Sequence, residues 1–301
     1  MMATLLSDLR AQFRRGDICL RYIYVNVGVF VLTSLLGVLL LLFNRSAAGV
    51  LQWFELPASL WRLLHQPWSL FTYMFVHAGL LHVLFNMLWL YWFGRLFLQF
   101  FSARHFRGLY WLGGLGGGLL YMAAYHVFPY FQPALSTSML VGASASVLAV
   151  GVATAFRAPD YRIHLMLVGP VRLKYMAFFL VLTDLLLVTG GNGGGHVAHL
   201  GGALAGWWFA SSLSKGRDVT RWINGTMDAF STLFSGDLFR RRRSKPKMRV
   251  HFGDRTSDYE YNARKKAQSD EIDRILDKLR KSGYDSLSSD EKKRLFEAGK
   301  K

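Results

Sequence analysis

Three short stretches of the chain hold residue types suited to acyl transfer. In LVGASASVL, residues 140–148, two hydroxyls, Ser144 and Ser146, lie in an apolar run. In HAGLLHVLFNMLWLYWFG, which begins at His77, His82 and Asn86 are four residues apart and share a helix face; in GHVAHLGGALAGWW, which begins at Gly195, His199 shares a face with Gly202 and Gly206. A serine hydroxyl is inert at its free pKa and needs a base. An imidazole can take its proton, and imidazole, carboxamide or backbone N–H donors can stabilise the oxyanion that attack creates. Each residue also has a plainer use. Small residues and GxxxG pairs let membrane helices approach, and His or Asn between helices supplies hydrogen bonds worth about 1 kcal/mol or less. Alone, Ser144 reads as a packing residue, so the case for chemistry depends on where the three stretches lie.

The 301 residues are 52% hydrophobic and 18% charged with a formal net charge of +17, and most of the charge falls beyond residue 210. That distribution predicts a membrane domain followed by a polar tail. At 1.5 Å per residue a span needs about 20 apolar residues, fewer where Gly-rich neighbours bury it. Six candidates result, near 22–43, 80–101, 108–128, 141–156, 175–190 and 196–213: an all-α, polytopic six-helix bundle. The first follows Arg10, Arg14, Arg15 and Arg21, is as long as a full span and ends without a small-residue cleavage site, so it reads as retained rather than as a signal peptide. Arg104 and Arg107 separate spans 2 and 3, and Arg157, Arg162, Arg172 and Lys174 separate spans 4 and 5; with the basic tail, these connections share one side. The loops HVFPYFQPALSTSML and GGNGGGH hold no Lys or Arg. Both termini are therefore expected in the cytoplasm. In that topology Ser144 opens span 4, His199 lies a turn inside span 6 and His82 and Asn86 begin span 2, all at one depth near the outer surface. Packing alone does not require that coincidence.

His82-Val83-Leu84-Phe85-Asn86, Gly142-Ala143-Ser144 and Ala198-His199-Leu200-Gly201-Gly202 with Gly206, in this order and on these spans, resemble the motifs of rhomboid intramembrane serine proteases. Trp68 before FTYMFVHAGLLH resembles the end of that family's first loop. The likeness runs over about residues 20–213, in a six-span core of bacterial type with a cytoplasmic tail. It implies a cavity open to the outside and a Ser/His dyad: Ser144 as nucleophile, His199 as general base, and His82, Asn86 and the Ser144 N–H as oxyanion donors. Gly142, Gly202 and Gly206 would give structural support, the last two by drawing span 6 onto span 4. Substrates would be other transmembrane proteins, without a cofactor or metal, in a bacterial inner membrane. Where the family has GxSG this chain has Ala145, a methyl beside the nucleophile expected to narrow the substrates tolerated and to favour a small residue before the cut. Gln99 stands where an acidic residue is common.

Ser146 is a weaker nucleophile candidate, since two helical residues turn it about 200° from Ser144. Asp184, ionisable near the outer end of span 5, is costly unless paired; a triad acid orienting His199 is one reading, a local hydrogen bond within span 5 the preferred one. His77 and His196 read as interface histidines, because no carboxylate or thiolate motif accompanies them to make a metal site. Cys19, the single cysteine, excludes an intramolecular disulfide. The loop at 44–79, rich in Trp, reads as a partly buried structure in the membrane interface.

The expected organisation is a basic segment 1–21, the protease domain 22–214, a basic linker 215–268 and a helical hairpin 269–301. The hairpin follows from Ile272, Ile275, Leu276 and Leu279 at helical spacing, Gly283 as breaker and a Ser288/Glu291 capping box. Arg240–Arg249, beside a membrane, fits anionic lipid better than nucleic acid. A catalytically silent rhomboid-like binder of membrane clients is the alternative function. A transporter would need a polar path across the bilayer, and the polar groups cluster on one side.

Overall fold

The computed structural model describes residues 13, 17–165, 169–234 and 255–298. The chain divides into two compact units, Met1–Leu238 and Phe239–Lys301. In the first, six helices occupy the places of the six expected spans: α1 (Ile18–Leu42), α2 (Leu80–Phe100), α3 (Ala103–Val127), α4 (Ser144–Arg157), α5 (Leu173–Leu186) and α6 (Gly193–Ser214). The fold is all-α apart from two short antiparallel pairs, β1 (Leu56–Pro57) with β2 (Met139–Leu140) and β3 (Arg162–Leu165) with β4 (Gly169–Arg172). Among the described residues, α1 and α2 are long and apolar enough by length and composition to cross a membrane. The other four are less plain. α4 and α5 have 14 residues each, about 21 Å at the helical rise, and α3 and α6 are diluted by glycine.

Glycine sets the packing of α3, α4 and α6. A Cβ built on Gly202 would lie 2.1 Å from the carbonyl oxygen of Ala145, and one on Gly206 2.3 Å from that of Ala149. On α3, a Cβ built on Gly113 would lie 2.4 Å from the methyl of Ala149 and one on Gly117 2.5 Å from that of Ala145, so α3 and α4 are also closely packed. Three backbones thus approach to distances that no side chain permits, with dispersion contacts along the whole seam. α1 joins the bundle through polar contacts. Buried Asn26 donates to Tyr22 O at 2.8 Å and to the Tyr110 hydroxyl at 3.1 Å, and Trp111 Nε1 donates to the Tyr22 hydroxyl.

The loop between α1 and α2 is ordered and reaches the centre of the molecule. Trp53 and Trp68 stack with ring centroids 6.0 Å apart, and Trp68 Nε1 donates to Trp53 O. Buried Gln66 donates to the carbonyls of Gln52 and Glu55, and Thr72 Oγ1 to Phe54 O. This scaffold presents β1 to β2, pairing Leu56 with Leu140, four residues before Ser144.

The segment expected to be a linker, 215–268, contains helical structure. α7 (Arg221–Phe234) packs on the start of α3, where Asn224 accepts from Arg107 Nε at 2.8 Å and donates to Arg104 O. Asp228 pairs with Arg104 and Arg107, and Thr220 and Asn224 are fully buried against Gly108. The segment's charge suggests a linker, but Thr220, Asn224 and Asp228 at i, i+4, i+8 form a polar stripe that docks the helix on α3. A chain without residues 239–301 keeps all of these contacts, so its melting midpoint in detergent is the reference. Ending the chain at Ser214 instead is expected to lower that midpoint, by an amount corresponding to roughly 1–3 kcal/mol for the buried groups stripped of partners.

In the second unit, α8 (Arg255–Ser282) begins fourteen residues before the expected hairpin and α9 (Ser289–Ala298) follows. Gly283, at φ +76°, ends α8. Ser288 N–H donates to Glu291 and Glu291 N–H to Ser288 Oγ, the reciprocal bonds of a capping box. Ile275 and Leu287 are its buried apolar residues. Arg10, Arg14, Arg15 and the basic run Arg240–Arg249 lie outside the described residues.

Candidate active site

α2, α4, α5 and α6 enclose a cavity of about 810 Å³. His82 and Asn86 reach it from α2, Ser144 from the first residue of α4 and His199 from α6, so residues 117 positions apart in sequence meet at one space. Ser144 Oγ and His199 line the cavity without a hydrogen bond between them; catalytic hydrogen bonds commonly tighten only once substrate is bound. Gly202 and Gly206 pack against α4 at Ala145 and Ala149 rather than lining the cavity.

Backbone geometry sets the position of Ser144. Gly142, at φ +118°, turns the chain from β2 into α4 in a conformation that favours glycine. Its N–H donates to Tyr73 O at 2.9 Å, which ties the turn to the first loop. A Cβ there would lie 2.8 Å from His82 Nε2 and 3.7 Å from Ser144 Oγ, so glycine keeps open the space between imidazole and hydroxyl. The first amides of α4, Ser144 N–H among them, have no acceptor within the helix and sit at its positive dipole end, a favourable place for developing negative charge.

The two α2 residues are held differently. Asn86 Nδ2 donates to His82 O at 2.9 Å, which fixes the carboxamide of a residue that lines the cavity. His82 meets His77 edge to face at 5.2 Å. Burial, with His82 beside it, pulls the pKa of His77 down to about 4, so His77 is a neutral neighbour at pH 7.

Two expectations change. The methyl of Ala145 was expected to narrow the site, but Ala145 is 2% exposed, does not line the cavity and faces Gly117 of α3. The substitution is accommodated between helices, so the small-residue preference draws no support from this methyl and rests on the close approach of α4 and α6. Asp184 was expected to make a local bond within its own helix. Instead its Oδ1 accepts from Nδ1 of His199 and from Nδ1 of His196, both at 2.8 Å and both on α6. Ser146 is fully buried with its hydroxyl unpartnered and away from the cavity, which leaves Ser144 as the accessible serine.

A carboxylate does therefore accompany the histidines. The ligand atoms of Asp184, His196 and His199 lie within 4.8 Å of one another, a set able to hold a metal ion. The two N–O separations of 2.8 Å are those of hydrogen bonds, so a shared acceptor accounts for the arrangement by itself.

A family model for the Rhomboid domain matches residues 64–216, and one for a family of unknown function, DUF6576, matches residues 255–301. The chain is 31% identical over 159 residues to RHOMBOID-like protein 12, mitochondrial, of Arabidopsis thaliana, covering 50% of this chain and 47% of that protein. It is 30% identical over 156 residues to Presenilin-associated rhomboid-like protein A, mitochondrial, of Danio rerio, covering 51% and 38%. A third likeness, 45% over 56 residues, is to RHOMBOID-like protein 1 of Arabidopsis thaliana. The chain thus spans less than half the length of these curated relatives.

Proposed function

The chain belongs to the rhomboid family, and from that premise we propose that it is an intramembrane serine protease cutting peptide bonds in or near the transmembrane helices of other membrane proteins. One observation carries the reading: Ser144, His199, His82 and Asn86, from three helices inside the matched region, face one cavity. In the mechanism Ser144 Oγ attacks the scissile carbonyl while His199 takes its proton. The proton then passes to the leaving amine, and water hydrolyses the acyl-enzyme by the same route reversed. His82, Asn86 and the Ser144 N–H hold the oxyanion.

All six helices form the membrane domain in this reading, including the short α4, which its neighbours bury, and the short, peripheral α5. In this reading the membrane is a bacterial inner membrane, and both termini lie in the cytoplasm because basic segments flank the bundle. Two of the relatives are mitochondrial by name, and the sidedness proposed here rests on charge. The basic segments would lie against anionic lipid.

Substrate backbone inside a helix is hydrogen-bonded and closed to attack, so the scissile region must unwind. The purified protein is expected to cut a single-span substrate near its outer membrane boundary. Gly or Pro beside the cut should speed cleavage, and a Leu run there should slow it about tenfold or more, as read from product ions by mass spectrometry. A substrate that binds without being cut would favour the silent binder; equal cutting of all variants would reject the unwinding requirement.

A further inference from the structure

Asp184 is the single carboxylate of α5, 8% exposed, on a helix whose neighbouring Leu185 and Leu186 are 59% and 71% exposed. It thus turns inward from an otherwise peripheral helix to the cavity and to two histidines of α6. A carboxylate has no proton to give, so Nδ1 of His199 and Nδ1 of His196 both carry hydrogen. Neutral His199 with its hydrogen on Nδ1 has its lone pair on Nε2, the tautomer that a base for Ser144 requires.

We propose that Asp184 is a positioning residue for the general base. Its carboxylate holds the His199 ring by Nδ1–H and leaves Nε2 free to take the Ser144 proton, while His196 fixes the same oxygen from a second direction. The inference rests on the protease reading above and adds a member to the two-residue site that the family resemblance implies. The Ser144 proton moves to His199 Nε2 and on to the leaving amine; Asp184 stays ionised throughout and stabilises the imidazolium between the two transfers. His196 has a distinct part. It lies one turn before His199 on α6, so its N–H occupies the carboxylate oxygen and keeps Asp184 from rotating out of line.

The competing role for the same contacts is a latch pinning α5 to α6. The two roles predict opposite kinetics. Breaking a latch loosens α5 and eases entry of a helix from lipid, so turnover holds or rises. Removing a positioning group leaves substrate binding alone and slows the chemical step.

The full chain with Asp184→Asn, Asp184→Glu or His196→Ala is purified in detergent and assayed on a single-span substrate for kcat and KM, and with a fluorophosphonate for the rate of Ser144 labelling. Asp184→Asn is expected to lower kcat at least about a hundredfold with KM within threefold of wild type, and to slow labelling in parallel, because its amide can favour the wrong tautomer of His199. Asp184→Glu, which keeps the charge one methylene away, is expected to recover part of kcat, and His196→Ala to lose less than about tenfold. An Asp184→Asn protein with wild-type or raised kcat overturns the proposal in favour of the latch. If Asp184→Asn is not monodisperse, Asp184→Glu decides: lowered kcat at unchanged KM supports positioning, and wild-type kcat overturns it. Ser144→Ala separates the two levels. Cleavage that survives Ser144→Ala rejects the protease reading itself, whereas cleavage lost in Ser144→Ala and kept in Asp184→Asn rejects the positioning role alone.

Discussion

Ser144→Ala and His199→Ala are each expected to lower cleavage of a transmembrane substrate by at least about 10⁴-fold, and the double variant to be scarcely worse than either. In the proposed mechanism the two side chains act on one proton: without the imidazole the hydroxyl is not activated, and without the hydroxyl the imidazole has nothing to activate. Ser146→Ala is expected to cut normally. Its hydroxyl is buried without a partner, so losing it removes an unsatisfied polar group and no chemistry. Substrate cleavage by the four purified variants under single-turnover conditions checks all of this. Loss of cleavage in Ser146→Ala with retention in Ser144→Ala would reverse the assignment.

The second large effect concerns the seam beneath the site. Gly202→Leu or Gly206→Leu is expected to abolish cleavage and lower the melting midpoint while leaving helix content nearly intact. In either case the new Cβ would fall 2.1 or 2.3 Å from a carbonyl oxygen of α4. No rotamer relieves a clash at Cβ, so α4 and α6 must separate along their length. Overpacking of an interior by extra methylenes ordinarily costs about 1–3 kcal/mol, and displacing a backbone belongs at the upper end or beyond. A shift of even 1 Å carries His199 away from Ser144, so activity falls further than stability. Circular dichroism, thermal unfolding and the cleavage assay, run on the same preparations, separate the two effects. Wild-type activity in either variant would show that the close approach is not what positions the base.

Much of this architecture is legible in residue patterns. Helices α1 to α6 lie within a few residues of the apolar runs that predict them, since a stretch long enough to be buried or lipid-facing must satisfy its own backbone hydrogen bonds. Ser144, His199, His82 and Asn86 could be picked out because each stands among apolar neighbours, where a polar side chain is expensive. Features that depend on how helices rotate about one another were hidden. The direction of the Ala145 methyl is one, being fixed by Gly117 on a different helix. The Asp184 pairing is another: it needs the short turn from α5 into α6 to fold the carboxylate back onto His196 and His199, 12 and 15 residues later. Nor could the β1–β2 pair be foreseen, because two-residue strands have no period to detect. Such pairing belongs to the tertiary packing of the first loop.

The central claim is that Ser144 is an activated nucleophile, and covalent labelling tests it most directly. The purified full chain is treated with a fluorophosphonate, digested, and the modified residue located by mass spectrometry. A single adduct on Ser144, lost in both Ser144→Ala and His199→Ala, is the expected result. An adduct on Ser146, or undiminished labelling of Ser144 in folded His199→Ala protein, would contradict it.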